Sequence, residues 1–560
     1  MSMKGRSRRG YLVGAAALVG AMFLSGGMRA TDAAESDPLS WVLIGLGDSL
    51  THGTMDAHNN ALDTASAYLQ RVRNSLVQRI PVVFNQPFLD DNGDRLVPFQ
   101  VPTNLAIDGE DSFSLDGLVY YKRAGAAENV VSDGYLADKA LPFAFADLHD
   151  AVLYPINQLA NAPVSQLASA EWLLTDTLPG AGLDQALVVY WVGNNDTSTA
   201  ALGAGGSNPS FFPLPVDQLA SELPVLSALL EFGENQGILS FEPYTASAID
   251  RNLTDLGDFV AQQTGVLTRL VNAAAGLDHH IFVLTLPYYS SVGYLFDSED
   301  IEYYLQQVDP TYSVPPSFAR VAPPGEPITN PLQGDRISLL TFGIMYTLLD
   351  TGSSVEFVNG VLDDNGTQRD GMVLSEAEAA QIMSRIDGFN AALATLAGGL
   401  GPNVHLVDVG SYLNDVLTGE IDLVVGGHQI SRKWIRGSAF SFDGVHPGYT
   451  GQAAIADYLL PHINAALGID APLIPLSAVI TNDPYVDNDG DGWAAGPPYQ
   501  NSGLGEVLFF FKDPDDTNAA ARPVMPPDVW QQIARALLEE VIGASPAMRA
   551  EAERLGLIGG

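Results

Sequence analysis

The chain has 560 residues, 46% of them apolar and 9% aromatic, which argues against a disordered protein and allows a large core with a smaller appendage. It contains no Cys, which excludes disulfides, a lipidated N-terminal Cys and a thiol nucleophile. The net charge of −40, with only five Lys, describes a surface that repels nucleic acid and anionic lipid headgroups.

The N-terminus reads as an export signal over residues 1–34. Lys4, Arg6, Arg8 and Arg9 precede the apolar run Tyr11–Leu24, and small residues follow to Ala34. The string from Ser7 to Leu12 resembles a twin-arginine signal; a plain secretory signal is the alternative. The run has 14 residues, short of the roughly 20 that span a bilayer. The expectation is an exported protein, periplasmic or secreted, with no membrane span once the signal is removed. The segment carries five basic residues and one acidic one, so the remainder holds 21 basic against 65 acidic groups. Such an excess suits solubility, a salt-rich habitat or divalent cations.

Residues 35–470 alternate short apolar runs with amphipathic stretches. Trp41–Leu46, Val101–Ile107, Ala186–Val192, Ile281–Leu286 and Val404–Val407 predict five buried parallel strands. Ser66–Gln78, Ala248–Ala275, Glu376–Ala397 and Thr450–Ala466 predict helices. The alternation predicts an α/β fold, a parallel sheet with helices on both faces and its site at the strand C-terminal ends. Residues 110–185, 197–246 and 288–372 are long insertions, whose apolar stretches Leu223–Phe232 and Tyr288–Phe296 could wall a binding site. Residues 471–560 form a small C-terminal module or tail, with an Asp-rich turn, the run Val507–Phe511 and a helix within Pro527–Leu555.

Four short segments carry the chemistry. Gly47-Asp48-Ser49-Leu50 follows the first strand, where a Ser opening a helix is exposed and the helix N-terminus favours negative charge. His52, one turn later, is a candidate pocket residue and not a catalytic one. Asn104 to Ser112 follows the second strand; within it Gly109, lacking a Cβ, can bring a backbone N–H close to a ligand. Gly193-Asn194-Asn195-Asp196 follows the third strand, where an Asn amide can donate to an oxyanion and Asp196 can brace the loop. Asp443-Gly444-Val445-His446 precedes the last long helix of 35–470. A hydroxyl nucleophile needs a base, His has the suitable pKa, and a carboxylate three residues earlier can orient its ring. Each segment alone is also an ordinary turn or helix cap. Together they fill the roles of nucleophile, base, orienter and oxyanion donors.

In this order and setting the segments resemble the SGNH subgroup of the GDSL hydrolases. Ser49 matches the serine of that family's first block, Gly109 the glycine of the second, Asn195 the asparagine of its Gly-x-Asn-Asp block and His446 the histidine of its Asp-x-x-His block. Two positions depart from the family pattern: Asn194 stands where Gly is commoner, so it can crowd the oxyanion hole, and Ala106 stands where Gly is often found. The resemblance implies a flavodoxin-like three-layer α/β/α sandwich. It also implies a Ser49–His446–Asp443 triad, with an oxyanion hole made by the Ser49 and Gly109 backbone N–H groups and the Asn195 side chain. The expected activity is ester hydrolysis through an acyl-enzyme, as a carboxylesterase or lipase, with no cofactor required. A carbohydrate O-deacetylase or an acyltransferase on the same site remains open, as does a non-catalytic secreted protein that binds calcium or a surface.

A second candidate site is Asp487-Asn488-Asp489-Gly490-Asp491-Gly492-Trp493. Asp487, Asp489 and Asp491 alternate, with Gly in the sixth position, as at the start of a calcium loop. Pro498 stands where an EF-hand has its Glu, so the ligand set is incomplete and a solvated acidic turn is the alternative. The turns at Asp90–Asp94 and Asp363–Gly366 read as hairpin or loop turns. His279 and His280 read as structural or exposed.

Overall fold

The computed structural model describes residues 40–56, 58–90, 93–117, 148–160, 164–203, 224–236, 244–362, 372–499, 509–533 and 546–557. The predicted export signal, the Asp363–Gly366 turn and residues 534–545 of the last predicted helix lie outside them.

A five-stranded, all-parallel sheet organises the chain. Its strands are β1 (Trp41–Gly47), β2 (Val82–Val83), β3 (Gln185–Trp191), β4 (Asp278–Leu284) and β5 (Val404–Val407), in the spatial order β2-β1-β3-β4-β5. Every residue of β1 is buried. Successive side chains point to opposite faces, so both faces of the sheet are covered. The helices that cover it are α1 (Ser49–His52), α2 (Tyr68–Leu76), α3 (Gln166–Trp172), α4 (Asn195–Leu202), α5 (Leu256–Ala274), α6 (Glu376–Gly399) and α7 (Tyr449–Leu467). Helix α2 packs on α7, whereas α5 packs on α3 and α6. Among the described residues no helix is long and apolar enough to cross a membrane.

Four of the five predicted strands form within three residues of their expected starts. The predicted strand Val101–Ile107 does not. The segment runs extended beside β1, where Gly45 N–H donates to Thr103 O at 2.9 Å and Leu105 N–H to Gly45 O at 2.9 Å. It forms only one bridge, Gly45 with Asn104, and the regular strand beside β1 is the short β2. The neighbouring rungs go to other partners: Thr103 N–H donates to Asn85 O at 3.0 Å and Gly47 N–H to the Gln166 side chain at 2.6 Å. The predicted helix Ala248–Ala275 is two helices, Ala246–Arg251 and α5. The break falls at Asp255, whose side chain accepts from the Gly257 and Asp258 N–H groups and starts α5 afresh. Val507–Phe511 contributes a single helical turn at Phe509–Phe511.

The described part of the C-terminal segment packs into the same apolar core as the sheet. Trp493, Phe511 and Val529 are buried in it. Trp493 and Phe511 stack at 5.9 Å between centroids, and Trp434 meets both edge-on.

The chain leaves β1 for β2 on one side and returns to β3 on the other. Neighbouring loops therefore diverge at the C-terminal ends of β1 and β3 and leave a crevice there. Ser49 follows β1, and Asn194 and Asn195 follow β3.

Candidate active site

The turn after β1 is held at both ends. Gln166 on α3 grips Gly47 twice: its side-chain oxygen accepts from Gly47 N–H at 2.6 Å and its amide donates to Gly47 O at 2.9 Å. A Cβ on Gly47 would lie 2.4 Å from the Thr51 hydroxyl and 2.8 Å from Trp191 O, so no larger residue fits. Asp48 caps α1, accepting from Leu50 N–H at 3.0 Å. Ser49, half-buried, is the first helical residue.

The turn after β3 closes on that of β1. Asn194 donates its amide to Asp48 at 2.9 Å, so the residue expected to crowd the oxyanion hole ties the two turns together. Asn195 donates to the Glu110 carbonyl at 2.9 Å and accepts from the Ser198 hydroxyl at 2.9 Å. Asp196 accepts from Ser112 through both its backbone N–H and its hydroxyl, at 2.9 and 2.5 Å, and so braces the loop as its position suggested.

The Gly109 loop is thereby clamped from one side by the β3 turn. From the other side, Asp108 accepts from Thr54 at 2.8 Å and from Asn59 at 2.9 Å. His52 is fully buried, with ring Nδ1 2.9 Å from Ala106 O, and so pins this loop to the β1 turn. Gly109 has φ +79°, a conformation that favours glycine. Among the described residues, neither the Ser49 nor the Gly109 backbone N–H meets an acceptor.

The Asp443–His446 loop arrives from the far end of the chain. Asp443 Oδ1 accepts from the N–H groups of Val445 and His446, each at 2.8 Å, and Oδ2 lies 2.6 Å from His446 Nδ1. Gly444 has φ +68°, and a Cβ there would lie 2.6 Å from Tyr294 N. The loop is registered against the β1 turn by Asp56. Phe442 N–H donates to Asp56 at 2.7 Å, Asp56 N–H donates to the Ser441 hydroxyl at 3.0 Å, and Tyr485 OH donates to the same carboxyl at 2.8 Å. The Trp434 indole donates to Phe442 O at 2.8 Å from behind. Farther back, buried Arg432 pairs with Asp297 at 2.6 Å.

Electrostatics separate the acids. Burial works against charge on His446, but the Asp443 carboxylate, with weaker pulls from Asp108 and Asp48, holds the imidazole up to about 9. Asp443 is held below its usual range despite burial, chiefly by His446. Burial pushes Asp48 up to about 7, opposed by the Asn194 bond and the Leu50 N–H. Burial, then the charges of Asp443 and Asp63, push Asp56 well above the usual carboxylate range, opposed by its bonds from Tyr485 and Phe442.

One cleft adjoins three of these segments, those of Ser49, Asn194 and His446, while Ser49, Gly109 and His446 are not themselves among its lining residues. Leu50 and Asn194 line it beside Val445 and Pro447, with Tyr289 and Val292 from the insertion among the other lining residues. The surface is overwhelmingly apolar. No described residue of Leu223–Phe232 lines it. The Ser49 hydroxyl makes no hydrogen bond to the imidazole here. Catalytic contacts of this kind are often long without substrate and tighten in the complex.

Asp56, Gln166 and Tyr485 carried no motif signal; each acts through contacts more than 100 residues away in sequence. The Asp487–Asp491 turn lies apart from the cleft, against Gln307 and Tyr304. His280 and His405 bond to each other at 2.9 Å across adjacent strands, a structural pair. No family model and no curated protein matches this chain.

Proposed function

We propose that the chain is an exported serine ester hydrolase of the SGNH type, a flavodoxin-like three-layer sandwich in its finer fold. Ser49 is the nucleophile, His446 the base and Asp443 the orienting carboxylate. The observation that carries the reading is the Asp443–His446 contact of 2.6 Å beside a cleft lined by Leu50, Asn194 and Val445, together with the Ser49 and Gly109 N–H groups, which meet no acceptor among the described residues. Export rests on the basic and apolar pattern of residues 4–34.

The reaction follows from this arrangement. His446 Nε2 takes the Ser49 proton as the hydroxyl oxygen attacks the ester carbonyl. The Ser49 and Gly109 N–H groups, with the Asn195 amide, receive the oxyanion. The imidazolium protonates the leaving alkoxide, and the acyl group stays on Ser49. Water then gives its proton to His446, attacks the acyl-enzyme and releases the acid. Asp443 keeps the Nδ1 proton in place, so that Nε2 faces the serine throughout.

The apolar cleft favours an acyl chain over a sugar ring, hence a carboxylesterase or lipase over a carbohydrate deacetylase. A series of nitrophenyl esters of increasing chain length, run beside acetylated xylan, tests the preference; faster deacetylation of the polymer reverses it. The central test is labelling with a fluorophosphonate followed by peptide mapping. The adduct is expected on Ser49 and absent from Ser49→Ala. An unlabelled native protein, or an adduct on another serine, overturns the assignment.

A further inference from the structure

The ester-hydrolase reading leaves the Asp487–Trp493 turn unused. The turn folds around its own carboxylates. Asp487 accepts from the N–H groups of Gly490 and Gly492, each at 2.7 Å, one on each oxygen. Asp489 Oδ1 accepts from Asp491 N–H at 3.2 Å, and Asp491 Oδ1 accepts from Trp493 N–H at 2.9 Å. A second loop is zipped alongside. Asp513 N–H donates to Ala494 O at 2.8 Å, Asp513 Oδ1 accepts from Asp515 N–H at 2.8 Å, and Asn488 N–H donates to Asp516 at 3.0 Å.

This pairing gathers five carboxylates from two loops. Asp487, Asp489 and Asp491 each bring one oxygen within 4.8 Å of the others, and Asp489, Asp513 and Asp516 form a second such set. A separate observation concerns the oxygens that the backbone does not hold. Oδ2 of Asp489, of Asp491 and of Asp513 is shielded from solvent and has no hydrogen-bond partner among the described residues. Asp491 and Asp513 are only 9% and 7% exposed. Like charges crowded together with unsatisfied, desolvated oxygens are unfavourable unless a cation lies among them.

We infer that Asp487, Asp489 and Asp491, completed by Asp513 and Asp516 of the second loop, bind one divalent cation, and that it is calcium. The donors are hard oxygens, more numerous than a magnesium site of one or two carboxylates employs, and set on irregular loops that suit the variable coordination of calcium. The ligands that an EF-hand would take from its twelfth position come instead from residues 513 and 516. The ion fastens the C-terminal segment to the insertion. The Gln307 amide donates to Asp491 O at 2.9 Å, the Trp493 indole donates to the Gln307 side chain at 2.8 Å, and Tyr304 OH donates to Gly492 O at 3.0 Å.

Terbium luminescence on the full chain tests the site, because Trp493 adjoins the ligands and can sensitise a bound lanthanide. The native protein is expected to show one saturable terbium site, displaced by calcium at far lower concentration than by magnesium. Asp491→Asn and Asp513→Asn should each weaken that site at least tenfold, while Asp94→Asn, in the acidic turn at residues 90–94, leaves it unchanged. Asn keeps the side-chain oxygen that accepts from the backbone, and ester turnover with near-ultraviolet circular dichroism verifies the fold of each variant. The inference is overturned if the native chain shows no saturable site. It is equally overturned if the site survives both substitutions in folded protein, or if magnesium displaces terbium as readily as calcium does.

Discussion

Two acidic loops of this chain use the same side chain in opposite ways. In the 443–446 loop a single carboxylate is fully occupied, by two backbone N–H groups and an imidazole. In the second pair of loops, five carboxylates form two triads that share Asp489, and three of their oxygens are buried with no partner among the described residues. A satisfied buried acid positions a neighbour; a set of unsatisfied ones suits a cation. The first loop belongs to the proposed chemistry and the second to the attachment of the C-terminal segment.

The largest effect that would sharpen this contrast is expected from Asp443→Asn. The substitution keeps the shape of the loop but loses the acceptor that fixes the imidazole tautomer, so kcat should fall about 10⁴-fold. The same variant should move the pH profile. His446 acts as a base only when neutral, and its pKa lies at about 9. The native kcat/KM should therefore climb with pH toward that value, and in Asp443→Asn the limb should drop to the ordinary imidazole range or below. An unchanged limb would break the link between the carboxylate and the base. The same raised pKa contributes stability that is complete below the unfolded value of about 6.5 and is lost as pH rises through about 9.

A smaller loss is expected from Asn195→Ala. One oxyanion donor is worth about 10²–10³ in kcat, with KM little altered. The residue also holds the Glu110 carbonyl, so Asn195→Asp, which keeps an acceptor for Ser198 but removes the donor, is the companion variant. Full activity in both would remove the residue from the oxyanion hole.

The smallest effect should come from calcium removal. A ligand at about a hundred times its Kd stabilises a protein by about 2.7 kcal/mol. In a chain this long that is a shift in Tm of a few degrees at most. Chelation should lower Tm by that amount in the native protein, by half as much or less in Asp513→Asn, and leave kcat within a few-fold. A collapse of kcat on chelation would erase the distinction between the two loops.

The strand ends and the turns after them were readable in advance because their signals are local. An apolar run of β-branched residues reports burial on both faces, and a Gly-Asp-Ser or Gly-Asn-Asn-Asp string reports the turn that follows. The Asp443–His446 contact was readable for the same reason, since three residues of one loop set it. The failures are those where a distant partner decides. Val101–Ile107 reads as a strand by composition, yet Asn85 and Gln166 take the neighbouring rungs and leave it one bridge. His52 read as a pocket residue, but Ala106 takes its ring into the interior.

By itself the sequence determined the α/β alternation, the parallel sheet, the candidate nucleophile, base and orienting acid, and the Asp-rich turn, all properties of neighbours within a strand, a helix or one loop. Tertiary structure alone decided that Asp56 and Tyr485 hold the 441–446 loop against the turn carrying Ser49, and that Gln166 grips Gly47. It alone brought Asp513 and Asp516 beside Asp489. Each of these joins residues dozens to hundreds of positions apart. Side-chain identity reports what a group can bond, whereas which group it meets depends on how the whole core closes.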